Sequence, residues 1–117
     1  MRRDRIAVLD ILEEIEDIEE FMRKMHCFHL EEFLENKLLQ KAVMMSIINI
    51  SEATKYLSGR FINRYEKIHF EQFREIRNVA AHKFGTINFV LVWNILKSSI
   101  PRFKNQLQSI HFGPEDY

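Results

Sequence analysis

Apolar residues recur at intervals of three and four along most of the chain, the spacing that lines one face of an α-helix. From about Asp4 to Met25 the stripe is Val8, Leu12, Ile15, Ile18 or Glu19, Met22 and Met25, with Glu13, Glu14, Glu16, Asp17 and Glu20 on the other face. Periodicity lapses at His26 to His29. A second helix is predicted from about Leu30 to Leu57, with Phe33, Leu34, Leu38, Met45, Ile48 and Tyr56 on or near one stripe, and Ser58-Gly59 closes it with a carboxyl-terminal glycine. Arg60 to His69 reads as a polar and aromatic connector with room for a short helical turn. The third helix, from about Phe70 to Phe84, steps through Phe73, Ile76, Ala80 and Phe84 and stops at Gly85. The fourth starts near Ile87 and carries Phe89, Val90, Val92, Trp93, Leu96 and Ile100. Pro101 lies inside it and should kink or restart it, because proline lacks an N–H and clashes with the preceding turn. Phe103 and Leu107 extend the apolar face. The pattern predicts an all-α fold, an antiparallel up-down four-helix bundle with a kinked last helix. Residues 1–117 form one domain in this reading, with a loose tail from about 111 to 117.

The middle of the second helix, Val43 to Ile50, is apolar around most of its circumference. A helix in a small bundle has one face for its own core, so the excess predicts a subunit interface and a homodimer. Composition agrees with the helical reading: three Gly and two Pro in 117 residues are too few for an all-β chain. The longest apolar stretch, Ala42 to Ile50, falls far short of the ~20 residues that span a bilayer. No signal-peptide core follows Arg2, Arg3 and Arg5, so a cytoplasmic protein without membrane association is expected. The single cysteine, Cys27, excludes an intrachain disulfide. Net charge is zero, yet residues 1–58 carry 8 Lys/Arg against 12 Asp/Glu, and residues 59–117 carry 9 against 5. A basic second half could meet phosphates; the commoner arrangement is opposite-signed helices packed side by side.

The segment with most chemical content is Arg77-Asn78-Val79-Ala80-Ala81-His82. At 100° per residue Asn78 and His82 share a face one turn apart, while Arg77 lies about 140° round from His82. Arg77 and His82 would therefore meet only in a cleft between two helices or two protomers. Taken alone, such a pair is more often a cap or a hydrogen-bonded core residue. The surroundings change that. Arg77-Asn78-x3-His82-x-Phe84, then Ile87-Asn88 and Val92-Trp93-x3-Lys97-x3-Pro101, resembles the HepT-like family of the HEPN superfamily. That family shows Arg, an Asn or Asp, three residues, His, one residue and Tyr, before a Val-Trp helix with a Pro. Ile50-Ser51-Glu52-Ala53 is similar to its Ile-Gly-Glu-Ala stretch, and the resemblance runs from Asp4 to about Leu107. Phe84 stands where many members have Tyr, and Asn88 where many have Asp.

The resemblance implies a metal-independent endoribonuclease, the toxin of a HepT/MNT-type toxin–antitoxin pair. RNA is then the substrate, a minimal nucleotidyltransferase the cognate antitoxin, and no cofactor or metal is needed. The chemistry suits these residues, because RNA brings its own nucleophile, the 2′-hydroxyl. His82, with a reference pKa of ~6.5 for its type, would be the acid/base residue. Arg77 would stabilise the transition state, and Asn78 would orient His82 or the phosphate. In the family the tyrosine two residues after the histidine can be adenylylated; Phe84 has no hydroxyl, so position 84 is expected to stay unmodified. A second reading is a non-catalytic nucleotide- or substrate-binding companion of a minimal nucleotidyltransferase.

Three other constellations carry less. His26-Cys27-Phe28-His29 offers three zinc-ligand types, but a closed site needs four and no second cluster exists. Glu66-x-x-His69 is half of a di-iron pattern whose other half is missing. Phe61, Tyr65 and Phe70 among Arg60, Arg64, Lys67 and Arg74 could stack bases, but read more simply as connector packing.

Overall fold

A computed structural model describes residues 2–82 and 86–117 of the chain, all helix, turn and loop, with no strand among them. The first helix, α1, spans Arg2–Lys24 and buries Ala7, Val8, Ile11, Ile15 and Ile18, while Glu13, Glu16 and Glu19 face solvent. It ends where His26 takes a left-handed conformation, φ 52°. The His26 N–H then donates to Arg23 O (3.1 Å) and the Cys27 N–H to Met22 O (2.9 Å), the pair of bonds that closes a helix around a left-handed residue. This turn sends Cys27 into the core, where burial, helped by Glu32, pushes its thiol above the usual range against a smaller opposing pull from Lys97.

The second predicted helix is two helices. α2, Leu30–Glu35, starts where the Glu32 carboxylate accepts from the Phe28 and His29 N–H groups (3.0 and 2.8 Å). α3, Lys37–Thr54, begins after Asn36, whose Oδ1 accepts from the Leu39 N–H at 2.9 Å. Buried Gln40 donates its amide back to the carbonyls of Phe33 (3.0 Å) and Leu34 (3.1 Å), satisfying the end of α2. Two side chains thus hold a corner that apolar spacing alone does not reveal. The corner resets the helical phase, so the predicted stripe is corrected: Leu34, Leu38, Met45 and Tyr56 are exposed, and Leu39, Val43, Met44, Ile47 and Ile50 are buried.

α1 and α3 run antiparallel, because partners fall along one helix as they rise along the other. Arg3 Nε donates to Tyr56 O, Asp4 accepts from the Ser58 N–H and hydroxyl, and Glu14 accepts from Asn49 Nδ2. α3 lies between α1 on one side and a later helix, Glu71–His82, on the other. Its apolar excess is therefore largely covered within one chain: of Val43 to Ile50 only Met45 is a strongly exposed apolar side chain, with Leu38 exposed earlier in the same helix.

Among the described residues, the hydroxyl of the buried Ser51 of α3 has no hydrogen-bond partner. Removing an unpaired buried hydroxyl, and gaining alanine's helix propensity, should stabilise the chain by about 1 kcal/mol. Ser51→Ala should accordingly melt about 4 °C higher by circular dichroism. A lower melting temperature would mean that the hydroxyl is satisfied in solution.

Ser58 does not end α3. It caps α4, Gly59–Arg64, its Oγ accepting from the Phe61 N–H at 3.1 Å, so Gly59 opens a helix rather than closing one, with no left-handed φ. Phe61 and Phe70 are buried, and the Phe61 ring meets those of both Tyr65 and Phe70. α5, Glu71–His82, is anchored by Phe73 against Phe103, ring centroids 4.7 Å apart. The side chains of Ile76 and Ala80, expected on the same core face, lie outside the described structure, as does Phe84. α6, Phe89–Asn94, a π-turn, Ile95–Ser99, and α7, Ile100–Gln108, follow without interruption. The expected kink at Pro101 takes the form of that π-turn, with the Ile100 N–H reaching Ile95 O. Widening the ladder just before a proline accommodates its missing donor.

Residues 111–117 fold back onto the helices. Phe112 stacks parallel to Phe61 (6.3 Å, 6°), Asp116 is buried and accepts from the Gly113 N–H (2.7 Å), and the Arg5 guanidinium sits 4.0 Å above the Tyr117 ring. No signal for this fold-back exists in the spacing, since it depends on α1 and α4 being in place. Among the described residues, no helix is long and apolar enough to cross a membrane.

Candidate active site

α5 brings Arg77 against α3. Its Nε lies 2.7 Å from Glu52 Oε1, a short, charge-assisted contact, and both side chains remain partly exposed, at 32% and 44%. The same Glu52 carboxylate meets Lys55 Nζ at 3.2 Å. Lys55, Glu52 and Arg77 thus form a chain of three charges across two helices, with a net charge of one positive. A partly exposed ion pair contributes only about 0–1 kcal/mol, so the contact orients the guanidinium far more than it stabilises the fold. A second pair, Lys104 Nζ to Glu19 Oε1 at 2.9 Å, likewise joins the basic second half to the acidic first half. The uneven charge is in this respect helix-to-helix complementarity.

Asn78 is exposed on the next residue of α5. His82 is the last described residue of that helix; its side chain, like Phe84, lies outside the described residues. Five residues of helix separate Arg77 from His82 by about 7.5 Å along the axis and about 140° around it. The structure therefore brings Arg77 to Glu52 and leaves Asn78 and His82 further along the same rod.

On the other side of α5 a cleft of about 670 Å³ opens toward α6, lined by Gln72, Glu75, Asn88, Leu91, Asn94 and Ser98 among others. Arg77 lies about 200° round the helix from Glu75, so within one chain the guanidinium and this cleft face apart. Asn88 caps α6, its Oδ1 accepting from the N–H groups of Val90 (3.1 Å) and Leu91 (3.2 Å). Asn and Asp cap about equally well, so Asn in place of Asp preserves the start of that helix. Behind it Phe33 packs edge-on to Phe89 and at 5.6 Å from Trp93, locking α2 to α6.

The remaining constellations resolve into packing. Cys27 is buried with its thiol directed at the His29 carbonyl (3.9 Å), and His26 and Phe28 serve the turn after α1. Among the described residues no three of His, Cys, Asp and Glu converge on a common point. His69 is exposed and pairs through Nδ1 with Glu71 (3.1 Å). Phe61 and Phe70 are in the core, leaving no platform for bases there.

Glu52 is the residue that sequence reasoning left without a role. It stands in the Ile50-Ser51-Glu52-Ala53 stretch, but 25 positions separate it from Arg77, and only the packing of α3 on α5 makes them neighbours.

Among the described residues the chain is helical throughout, with no strand, and comparison with known proteins gives the family. The chain belongs to the family described as ribonuclease HepT-like, whose profile matches residues 11–110. A Methanocaldococcus jannaschii protein named "Putative RNase MJ1380" is 30% identical over 110 residues, covering 93% of this chain and 98% of that one. "Putative RNase MJ0127" of the same organism is 33% identical, covering 91% and 85%. "Probable ribonuclease HepT" of Thermococcus cleftensis is 32% identical over 101 residues, covering 86% and 89%. No solved structure matches the chain.

Proposed function

We propose that this protein is an endoribonuclease that cuts RNA by metal-independent acid–base chemistry. The observation that carries the reading is Arg77, a partly exposed guanidinium held at an interhelical ion pair on the helix that also carries His82, in a ribonuclease HepT-like chain. The 2′-hydroxyl of RNA attacks the adjacent phosphorus, and His82 accepts its proton. The 5′-oxygen leaves and takes a proton from water, giving a 2′,3′-cyclic phosphate and a 5′-hydroxyl, and the protonated His82 returns its proton to solvent. Arg77 binds the non-bridging oxygens as their charge grows, and Asn78 orients the phosphate or His82. Exposed Arg74, one turn before Arg77, and Lys55 add cations for neighbouring phosphates.

The angular separation of Arg77 and His82 favours a two-fold homodimer whose shared cleft receives both, with the exposed Leu38 and Met45 available to an interface. In this reading the chain is a cytoplasmic toxin and a minimal nucleotidyltransferase is its antitoxin. Control through position 84 is excluded by Phe84's lack of a hydroxyl, which leaves tight binding or another tyrosine.

The test is incubation of pure protein with labelled RNA in EDTA, alongside light scattering. Cleavage by a particle of twice the 14.1 kDa chain mass is expected. RNA or nucleotide binding without cleavage would favour the non-catalytic companion instead, and a monomer would sink the shared cleft.

A further inference from the structure

We infer that Glu52 is a positioning residue of this site: its carboxylate holds the Arg77 guanidinium by Nε and leaves the Nη1/Nη2 edge to grip the phosphate of an RNA substrate. The inference rests on the ribonuclease reading above and adds a residue to it. An arginine side chain carries large rotamer entropy, and a partly exposed one on a helix would sample many positions. A group that stabilises a transition state must instead be held to within about 0.5 Å. The 2.7 Å contact from Nε to Glu52 Oε1 supplies that restraint from a second helix.

That second helix is itself fixed. Ile50, Ser51 and Thr54, on either side of Glu52, are buried, so the carboxylate projects from a backbone locked in the core. The guanidinium is a planar fork with two edges, and a contact at Nε uses the inner one. The outer edge, with two parallel N–H groups, matches two oxygens of one phosphate. Glu52 alone would neutralise Arg77 and repel a phosphate. Lys55, 3.2 Å from the same carboxylate, restores one net positive charge to the group. Position and affinity are thereby separated: Glu52 sets where Arg77 points, and Lys55 offsets the electrostatic cost.

The experiment measures cleavage of a labelled mixed-sequence RNA by wild type, Glu52→Ala and Glu52→Gln, each with and without Arg77→Ala. Glu52→Ala should lower kcat about 10- to 100-fold with KM little changed. Glu52→Gln, which keeps an oxygen for the Nε–H, should recover most of the loss. In the Arg77→Ala background, Glu52→Ala should add nothing, since Glu52 acts through Arg77. Unchanged or raised kcat in Glu52→Ala, or an equal loss in the Arg77→Ala background, would overturn the inference. A second readout is independent of RNA: the Arg77 Nε–H signal in ¹⁵N–¹H spectra should exchange slowly with water in wild type and fast in Glu52→Ala. Slow exchange in a protein that cuts no RNA would end the ribonuclease reading and leave the positioning intact. Equal exchange in both proteins would end the positioning.

Discussion

Replacing Arg77 with alanine should reduce RNA cleavage about 10²- to 10³-fold, the usual loss when one preorganised donor to a developing anion is removed. Its ion pair with Glu52 contributes at most about 1 kcal/mol, so the helical circular dichroism should persist and the melting temperature should move by only a few degrees. Arg77→Lys should recover part of the rate, because a lysine keeps the charge but not the two-pronged geometry. Single-turnover cleavage assays on folded protein make the measurement. A variant that retains wild-type cleavage would remove Arg77 from the chemistry, and one that unfolds would make it a structural residue. His82→Ala should lose a comparable 10²- to 10⁴-fold, the range for a general acid–base residue.

Replacing Phe73 with alanine should produce the largest loss of stability, for a different reason. Phe73 is 1% exposed and its ring lies 4.7 Å from that of Phe103, joining α5 to α7. Emptying such a site costs about 3–5 kcal/mol, set against a total stability of roughly 5–15 kcal/mol for a domain of this kind. The melting temperature should fall by more than about 10 °C, and cleavage should fail because α5 no longer presents Arg77. Phe73→Leu should recover most of the stability. A melting temperature unchanged by Phe73→Ala would contradict the packing of α5 against α7.

The helical class and the ends of α1 were legible because Val8, Ile15 and Ile18 repeat at helical spacing while the intervening carboxylates do not. The break at Asn36 was hidden. Its cause lies in a cap on Leu39 and in the amide of Gln40 reaching back to Phe33 and Leu34, and neither disturbs the apolar pattern. Because a break resets helical phase, one missed corner turned the predicted stripe of α3 outward. Gly59 misled for a related reason: Ser-Gly fits both the end of one helix and the capped start of another, and Asp4 of α1 selects the second by binding Ser58. The tail was unreadable because Phe112 finds Phe61, and Arg5 finds Tyr117, only after the helices pack. In the site, Arg77, Asn78 and His82 stood out through the order of residue types on one helix. Glu52 did not, since a contact between α3 and α5 leaves no trace in either segment.

In the proposed reaction RNA's own 2′-hydroxyl is the nucleophile, and protein side chains alone supply the rest. The most direct measurement uses a short RNA with one mapped cleavage position and a matched strand carrying a single 2′-deoxy nucleotide there, both in EDTA. The first strand should give a 2′,3′-cyclic phosphate and a 5′-hydroxyl, and the second should show no cut at that position. Cleavage of the deoxy strand, or products ending in a 3′-hydroxyl and a 5′-phosphate, would contradict this chemistry.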